Sequence, residues 1–509
     1  MLQFILRRVA ISAVVLLMGS ALMYFATINS GDPLADLRES RRENRDQLMQ
    51  ARIDNMNLDL PWWQRYLTWL GGASKCLVLS CDLGTTRDGA NINTMLLSSA
   101  GASLRLVSIS VVLAIFIGVA LGVLTAIRQY SGFDYAITFL AFLFFSLPVF
   151  WAAVLLKEFG AIRFNNWMAD PALTTTAIAV VALVFALLVA SVLGGDLKRQ
   201  VLTFVVTTVV VFGTVWYFDS IGWWRQPALG LPLILLGSLL ALAFFLVVTV
   251  GLAERKILYA GLTTIALGLV GYVVTAPIMD DPSSWWIVLG LGLLSVLVGL
   301  AVGWFLGGFE KKVAMFVCAG TALAFAGLVF TDELLRNWGG FLEIAARPIS
   351  TIGDTRVPNE RFDGNFWEDI YNWAVQLVLP TIVLTVVSIA GYSRYTRASM
   401  LETINQDYIR TARSKGLSDR VVYTKHALRN ALIPITTIVA FDFASLLGGA
   451  VITETIFGWK GLGAMFRAGL NTVDPGPVMA YYLVAGGAAV LMNMIADIAY
   501  AFLDPRIRR

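Results

Sequence analysis

The chain has 509 residues, of which 58% are hydrophobic and only 14% charged, and its formal net charge is +4. Soluble domains run at about 45–50% apolar and about 25% charged, so a soluble globular fold is excluded, and so small a positive excess gives no reason to expect a nucleic-acid partner. Three cysteines and one histidine exclude a disulfide-rich scaffold and leave no basis for a histidine-built metal site.

Continuous apolar runs of about 20 residues recur along the chain, the pattern of membrane-spanning helices. A closed barrel would need apolar and polar residues in alternation, and these runs do not alternate. The first run, 9–31, follows Arg7 and Arg8. A cleaved signal peptide is one reading; the length of the run favours an uncleaved first helix with a cytoplasmic N-terminus, closing a first segment 1–31. A polar stretch, 32–98, is expected as an external cap, with the mixed charges of Arg38, Glu39, Arg41, Arg42, Glu43, Arg45 and Asp46. Segment 99–165 holds two runs, 106–127 and 135–156. Six more fill 172–331, at 172–193, 201–218, 227–252, 257–277, 284–308 and 313–331. A second external loop is expected at 332–369, and segment 370–509 carries the last three runs, 370–393, 431–453 and 476–500. The fold class is therefore all-α, a polytopic protein of about twelve spans.

Charge orients these spans, because Lys and Arg concentrate on the cytoplasmic side. Alternate loops carry Arg128, Lys198-Arg199, Arg255-Lys256, Lys311-Lys312, the segment 393–430 and the tail Arg506-Ile507-Arg508-Arg509. The opposite turns carry Asp219, Asp280-Asp281 and Asp332-Glu333, with Trp223-Trp224 and Trp285-Trp286 where indoles favour the interface. Both termini then lie in the cytoplasm. The turns that begin Gly194-Gly195, Gly251-Leu252 and Gly307-Gly308 recur at even spacing and each ends in basic residues, which suggests three successive hairpins; the same chemistry would serve any short basic turn. Runs 172–331 carry almost no ionisable residue. A polar cargo path normally does, so this stretch is expected to be accessory.

Segment 393–430 holds eight Lys/Arg against three Asp/Glu. Residues 396–415 are helix formers without proline, Gly416 can end a helix in the left-handed region, and Ser418 can cap the next helix. The result is an elbow projecting from the membrane, which a partner could grip.

The order Asp407-Tyr408-Ile409-Arg410-Thr411-Ala412-Arg413, then Gly416 and Leu432-Ile433-Pro434, resembles the EAA loop of ABC importer permeases of the dipeptide/oligopeptide branch. Thr411 stands where the family's name-giving glutamate usually is. Leu58-Asp59-Leu60-Pro61, Asp82-Leu83-Gly84-Thr85, Phe145-Ser146-Leu147-Pro148, Leu446-Leu447-Gly448-Gly449 and Gly458-Trp459-Lys460-Gly461-Leu462-Gly463 resemble other parts of that branch, as does the tail Asp504-Pro505-Arg506-Ile507-Arg508. Lys460 replaces the branch's usual proline. The resemblance implies an ABC type I importer fold of six core spans, with six inserted at 172–331. It also implies that Tyr408, Arg410, Thr411, Ala412, Lys415, Gly416 and Leu417 dock an ATPase, with Ala412 and Gly416 in close contact. Implied partners are a second permease, two ABC ATPase domains and an extracytoplasmic peptide-binding protein, all at the bacterial cytoplasmic membrane.

The chain has no GxxxxGK[ST] phosphate loop and no catalytic constellation, so ATP and Mg are expected on the partner ATPases and no cofactor on this chain. Asp442, Asn493 and Asp497 are candidate translocation-path residues, with interhelical packing as the alternative for each. Pro148 and Pro380 can kink their spans or be tolerated breaks. Cys76 and Cys81 are expected as a local disulfide, with free thiols the alternative, and Cys318 as an apolar filler. A twelve-span secondary transporter is the competing function; it predicts two similar halves with midplane charges in each. A membrane enzyme would need clustered ionisable or metal-binding residues, and the sequence shows none.

Overall fold

A computed structural model of the protein describes residues 2–78, 80–249, 254–353, 356–358 and 361–503. The regular elements among them are helices, with one isolated bridge between Thr85 and Asn91. Among the described residues, eleven helices are long and apolar enough to cross a membrane. The pair Gly132–Ser146 and Val149–Ala169, bent by 100° at its break, is long and apolar enough only when its two helices are taken together, and makes the twelfth candidate. The bend falls at Leu147-Pro148, where proline removes a backbone donor and pushes its predecessor out of the helical region; Leu147 has ψ 123°. Pro380, by contrast, lies inside the unbroken helix Phe366–Ile404.

Among the expected boundaries that shift, two concern polar residues. The second span begins at Ile92, inside the stretch expected to be external, because Asn91 caps it by accepting from the Asn93 and Thr94 amides. Helix Lys311–Arg336 runs past residue 331, so Asp332 and Glu333 are helical and buried rather than in an outer turn.

The chain divides into two compact units. The first comprises Met1–Ile162, Thr351–Asp354 and Leu377–Arg509. Its cap contains helices Ala35–Arg38, Arg45–Met56 and Trp62–Ser74. Buried Arg52 ties the cap together, donating to the Pro33 carbonyl at 2.9 Å and to the carboxylates of Asp36 at 2.5 Å and Asp88 at 3.3 Å. Cys76 and Cys81 are joined as a disulfide, and Cys318 is free and buried. Asp474 accepts from the amides of Arg87 at 2.7 Å and Gly476 at 3.0 Å, fastening the cap to the start of helix Pro475–Leu503.

The second unit comprises Arg163–Ser350 and Thr355–Gln376. Helix Lys311–Arg336 is its hub, touching Trp285–Leu306, Gly230–Thr249 and Arg255–Met279. The hairpins are therefore not three equal modules. Two of them share one bundle, while Thr175–Leu193 and Leu197–Ser220 pack chiefly on each other. Leu197–Ser220 has no buried residue. Its turn carries Gly194 and Gly195 at φ 60° and 110°, and the corresponding turn residues 251–253 lie outside the described set.

Candidate functional site

The basic elbow lies in the first unit. Helix Phe366–Ile404 stops two residues before the next helix, Asp407–Ser414, begins. The expected continuous helix over 396–415 is thus broken at Asn405-Gln406, where Gln406 adopts an extended conformation with ψ 151°. Asp407 in the first turn and Arg413 in the last both favour the short helix through its dipole. Gly416 ends the segment at φ +75°, the left-handed conformation expected of it, and its amide donates to the Arg413 carbonyl at 2.9 Å. Ser418 occupies the next N-cap without a side-chain bond. Residues Val422–Ala427 form a π-helical turn that leads into helix Leu428–Gly449.

The helix Asp407–Ser414 is amphipathic in a specific way. Ile409 and Ala412, three residues apart and so on one face, pack into a core with Ala126, Met400, Val422 and Ala427. Ala412 is thereby buried against its own chain, and its small size lets the helix approach that core. Gly416 has open space where a Cβ would lie, so its requirement is conformational rather than steric. Tyr408, Arg410, Thr411, Lys415 and Leu417 are exposed. The Tyr408 hydroxyl accepts from the Asn430 amide at 2.8 Å, and Arg413 reaches the Tyr423 hydroxyl at 3.1 Å and Asp419 at 3.6 Å.

Three ties fix the elbow to the spans. Arg397 donates two hydrogen bonds of 2.9 Å to Asp134, whose side chain is 4% exposed. Ser399 donates to the Ala431 carbonyl at 2.9 Å. Gly118 and Gly122 let helix Ile92–Ile127 approach closely: a Cβ would lie 2.7 Å from Tyr392 Cβ at the first and 2.6 Å from Thr396 Cβ at the second. The Gly-x-x-x-Gly spacing was visible in the sequence; the Asp134–Arg397 pair, 263 residues apart, was not.

Asp442 accepts from Ser388 at 2.8 Å and Tyr392 at 2.6 Å, bonds that join its helix to helix Phe366–Ile404. Asn493 is exposed on the last span. The side chain of Asp497, those of 447–449 and the tail 504–509 lie outside the described residues.

One buried acid was not anticipated. Glu454 is 1% exposed in the short helix Val451–Phe457, which follows the eleventh span. It accepts from Ser103 Oγ at 2.5 Å and the Ala464 amide at 3.0 Å, while its own carbonyl accepts from the Trp459 amide at 2.7 Å. Burial pushes its carboxyl up from the ordinary range, and these donors oppose the shift. At Gly461 a Cβ would lie 2.3 Å from Glu454 Oε1, so the glycine-rich turn wraps directly on the acid. Exposed Lys460 stands outside this wrap.

These features define a class: a polytopic helical membrane protein whose exposed basic elbow is braced rigidly on its spans. Residues 313–509 match the family described as the inner membrane component of binding-protein-dependent transport systems. The chain is 35% identical over 232 residues to the dipeptide transport system permease protein DppB of Alkalihalophilus pseudofirmus, covering 42% of this chain and 67% of that one. It is 36% identical over 196 residues to the oligopeptide transport system permease protein OppB of Mycobacterium tuberculosis (strain H37Rv), covering 38% of this chain and 58% of that one. To the oligopeptide transport system permease protein AppB of Bacillus subtilis it is 39% identical over 189 residues, covering 36% and 58%. The chain thus spans somewhat more than half the length of most curated relatives it matches. It belongs to the family of inner-membrane components of binding-protein-dependent transport systems. The matched region contains the elbow, which disfavours the secondary-transporter reading.

Proposed function

We propose that this chain is a permease subunit of an ATP-driven, binding-protein-dependent peptide importer in the bacterial inner membrane. The observation that carries the reading is the helix Asp407–Ser414, exposed on one face and locked to its own spans on the other. A lever must be rigid at its root, and Ile409, Ala412 and the Asp134–Arg397 pair supply that rigidity. The exposed Tyr408, Arg410, Thr411, Lys415 and Leu417 form the surface for an ATPase, which binds ATP and Mg in place of this chain. The relatives' names, oligopeptide and dipeptide permeases, support peptides as cargo. A second permease, two ABC ATPase domains and an extracytoplasmic peptide-binding protein complete the complex, with both termini of this chain in the cytoplasm. Affinity purification in mild detergent with mass spectrometry of the co-purifying chains tests the assembly. Recovery of this chain without any nucleotide-binding subunit, under conditions that keep it folded, overturns the reading.

The stretch 172–331 is read as an accessory module outside the cargo path. Peptide groups left unpaired in hydrocarbon cost several kcal/mol each, and this module offers mainly leucine, valine, alanine and glycine. A variant joining Asp170 to Glu333 by a short linker is expected to insert and to retain receptor-dependent uptake. An assembled complex that hydrolyses ATP without moving cargo contradicts the reading.

A further inference from the structure

Helix Trp62–Ser74 belongs to the cap, yet it does not sit clear of the membrane level. The Tyr66 hydroxyl is 2.8 Å from Ser20 Oγ and donates toward the Leu17 carbonyl at 3.4 Å. Both residues lie inside the first span, Val9–Ile28. At 1.5 Å per residue, Ser20 is about 12 Å below the end of that span. The Tyr66 ring also lies 5.5 Å from that of Tyr24, and the Trp62 ring 5.4 Å from that of Phe25. A helix bound to the span at these positions runs alongside its last turns.

Successive residues of a helix turn by about 100°, and on this helix that spacing separates three faces. Arg65, Tyr66, Trp69 and Ala73 face the protein; Ala73 is buried beside Leu83 and Ile92. Trp63 and Leu67 share the next face and are 52% and 55% exposed. Gln64 and Thr68 share the third face and are also exposed. A helix wholly in water has no use for a separate apolar exposed face, and one wholly in hydrocarbon has none for a polar one. A helix lying in the interface needs both, with tryptophan at headgroup level.

We propose that Trp62–Ser74 is an interfacial helix, with Trp63 and Leu67 inserted among the lipids of the leaflet at the Ile28 end of the first span. The occupant of that face is lipid because the face continues the exposed apolar stripe of the first span itself. Phe25, 48% exposed, edges onto Trp62, 42% exposed, and Met18 and Leu22 on the same span are each 70% exposed. The lipid contact thereby holds the cap at a fixed height, through a helix whose end carries the Cys76–Cys81 bridge.

The test uses the full-length protein in phospholipid nanodiscs. Trp63→Cys, Leu67→Cys, Gln64→Cys and Thr68→Cys are spin-labelled singly; the native cysteines are paired or buried. Collision with oxygen and with a water-soluble nickel chelate is read at each site. The oxygen-to-nickel ratio is expected to be severalfold higher at 63 and 67 than at 64 and 68. Equal ratios at all four sites overturn the proposal, and so does shielding of 63 and 67 from both reagents, which means that protein covers them. On the unmodified protein, a photoactivatable lipid is expected to label the 62–74 segment at Trp63 or Leu67, and absence of adducts there overturns it equally.

Discussion

The two units hold their helices together by different means. In the first, distant elements are joined by directional bonds: Asp134 to Arg397, Ser103 to Glu454, Tyr392 to Asp442, and the Arg87 amide to Asp474. In the second, helices meet mainly through apolar side chains, such as Leu242, Leu246, Ile257 and Val317, and through glycines. A Cβ at Gly299 would lie 2.7 Å from the Cys318 carbonyl, and one at Gly303 would lie 2.5 Å from the Met315 backbone. Polar bonds there gather near one end, where Asp332 accepts from the amides of Leu229 and Gly230 at 2.8 Å each and pairs with Arg336 at 2.9 Å. Directional bonds fix angle as well as distance, which suits a unit that must pass on movement. Close apolar packing fixes distance alone and suits a supporting mass.

The sharpest way to break the contrast is to remove one half of the Asp134–Arg397 pair. With Asp134 buried, Asp134→Ala is expected to cost about 3–5 kcal/mol, because it leaves a partly buried guanidinium unpaired. Thermal unfolding of the detergent-solubilised protein reads this loss, and the double variant Asp134→Asn with Arg397→Gln should recover part of it. Equal losses in the single and double variants contradict the pairing.

The second unit should respond to volume instead. Gly303→Leu is expected to cost about 1–3 kcal/mol by overpacking against Met315. Cargo uptake by the folded fraction should be unchanged, since the module lies outside the proposed path. A folded variant that has lost uptake argues against the accessory role.

Gly416→Val separates the elbow's conformation from its packing. No atom lies within 4 Å of a Cβ placed there, so the expected cost is the left-handed penalty of about 1–2 kcal/mol. The protein should still insert, while substrate-stimulated ATP hydrolysis by the reconstituted complex falls. Normal stimulation in that variant counts against coupling through the elbow.

The smallest effect is a pH dependence. Burial raises the Glu454 carboxyl above its ordinary 4.5, so the folded chain holds that proton more tightly than the unfolded chain. The resulting stabilisation is fully present below the unfolded value and is lost as pH rises through the folded one. Melting temperatures of the wild type and Glu454→Gln, compared from about pH 4 to about pH 8, should shift against the wild type as pH rises. A constant difference shows that the acid does not titrate in that window.

What could be read from the sequence follows from how local each signal is. Apolar length marked the spans, and glycine chemistry placed Gly416 correctly, because both depend on neighbouring residues alone. The break at Asn405-Gln406 carries neither glycine nor proline and gave no local sign. Ala412 was legible as a small residue but not by its direction, which depends on Ala126, far along the chain, as well as on nearby Met400. Nothing local marks Glu454 as a buried acid, because the partner that holds it, Ser103, lies 351 residues away. The hub role of Lys311–Arg336 depends on which helices surround it, and repeat spacing does not encode that.

The π-helical turn Val422–Ala427 has a consequence for angular phase. Such a turn accommodates an extra residue, so side chains beyond Ala427 are rotated by about 100° from where an unbroken α-helix would aim them. The elbow and the span Leu428–Gly449 are therefore geared out of step by one tooth, and deletion of a single residue between 422 and 427 would bring them back into step, re-aiming Asp442 away from Ser388 and Tyr392 without altering a side chain in the span.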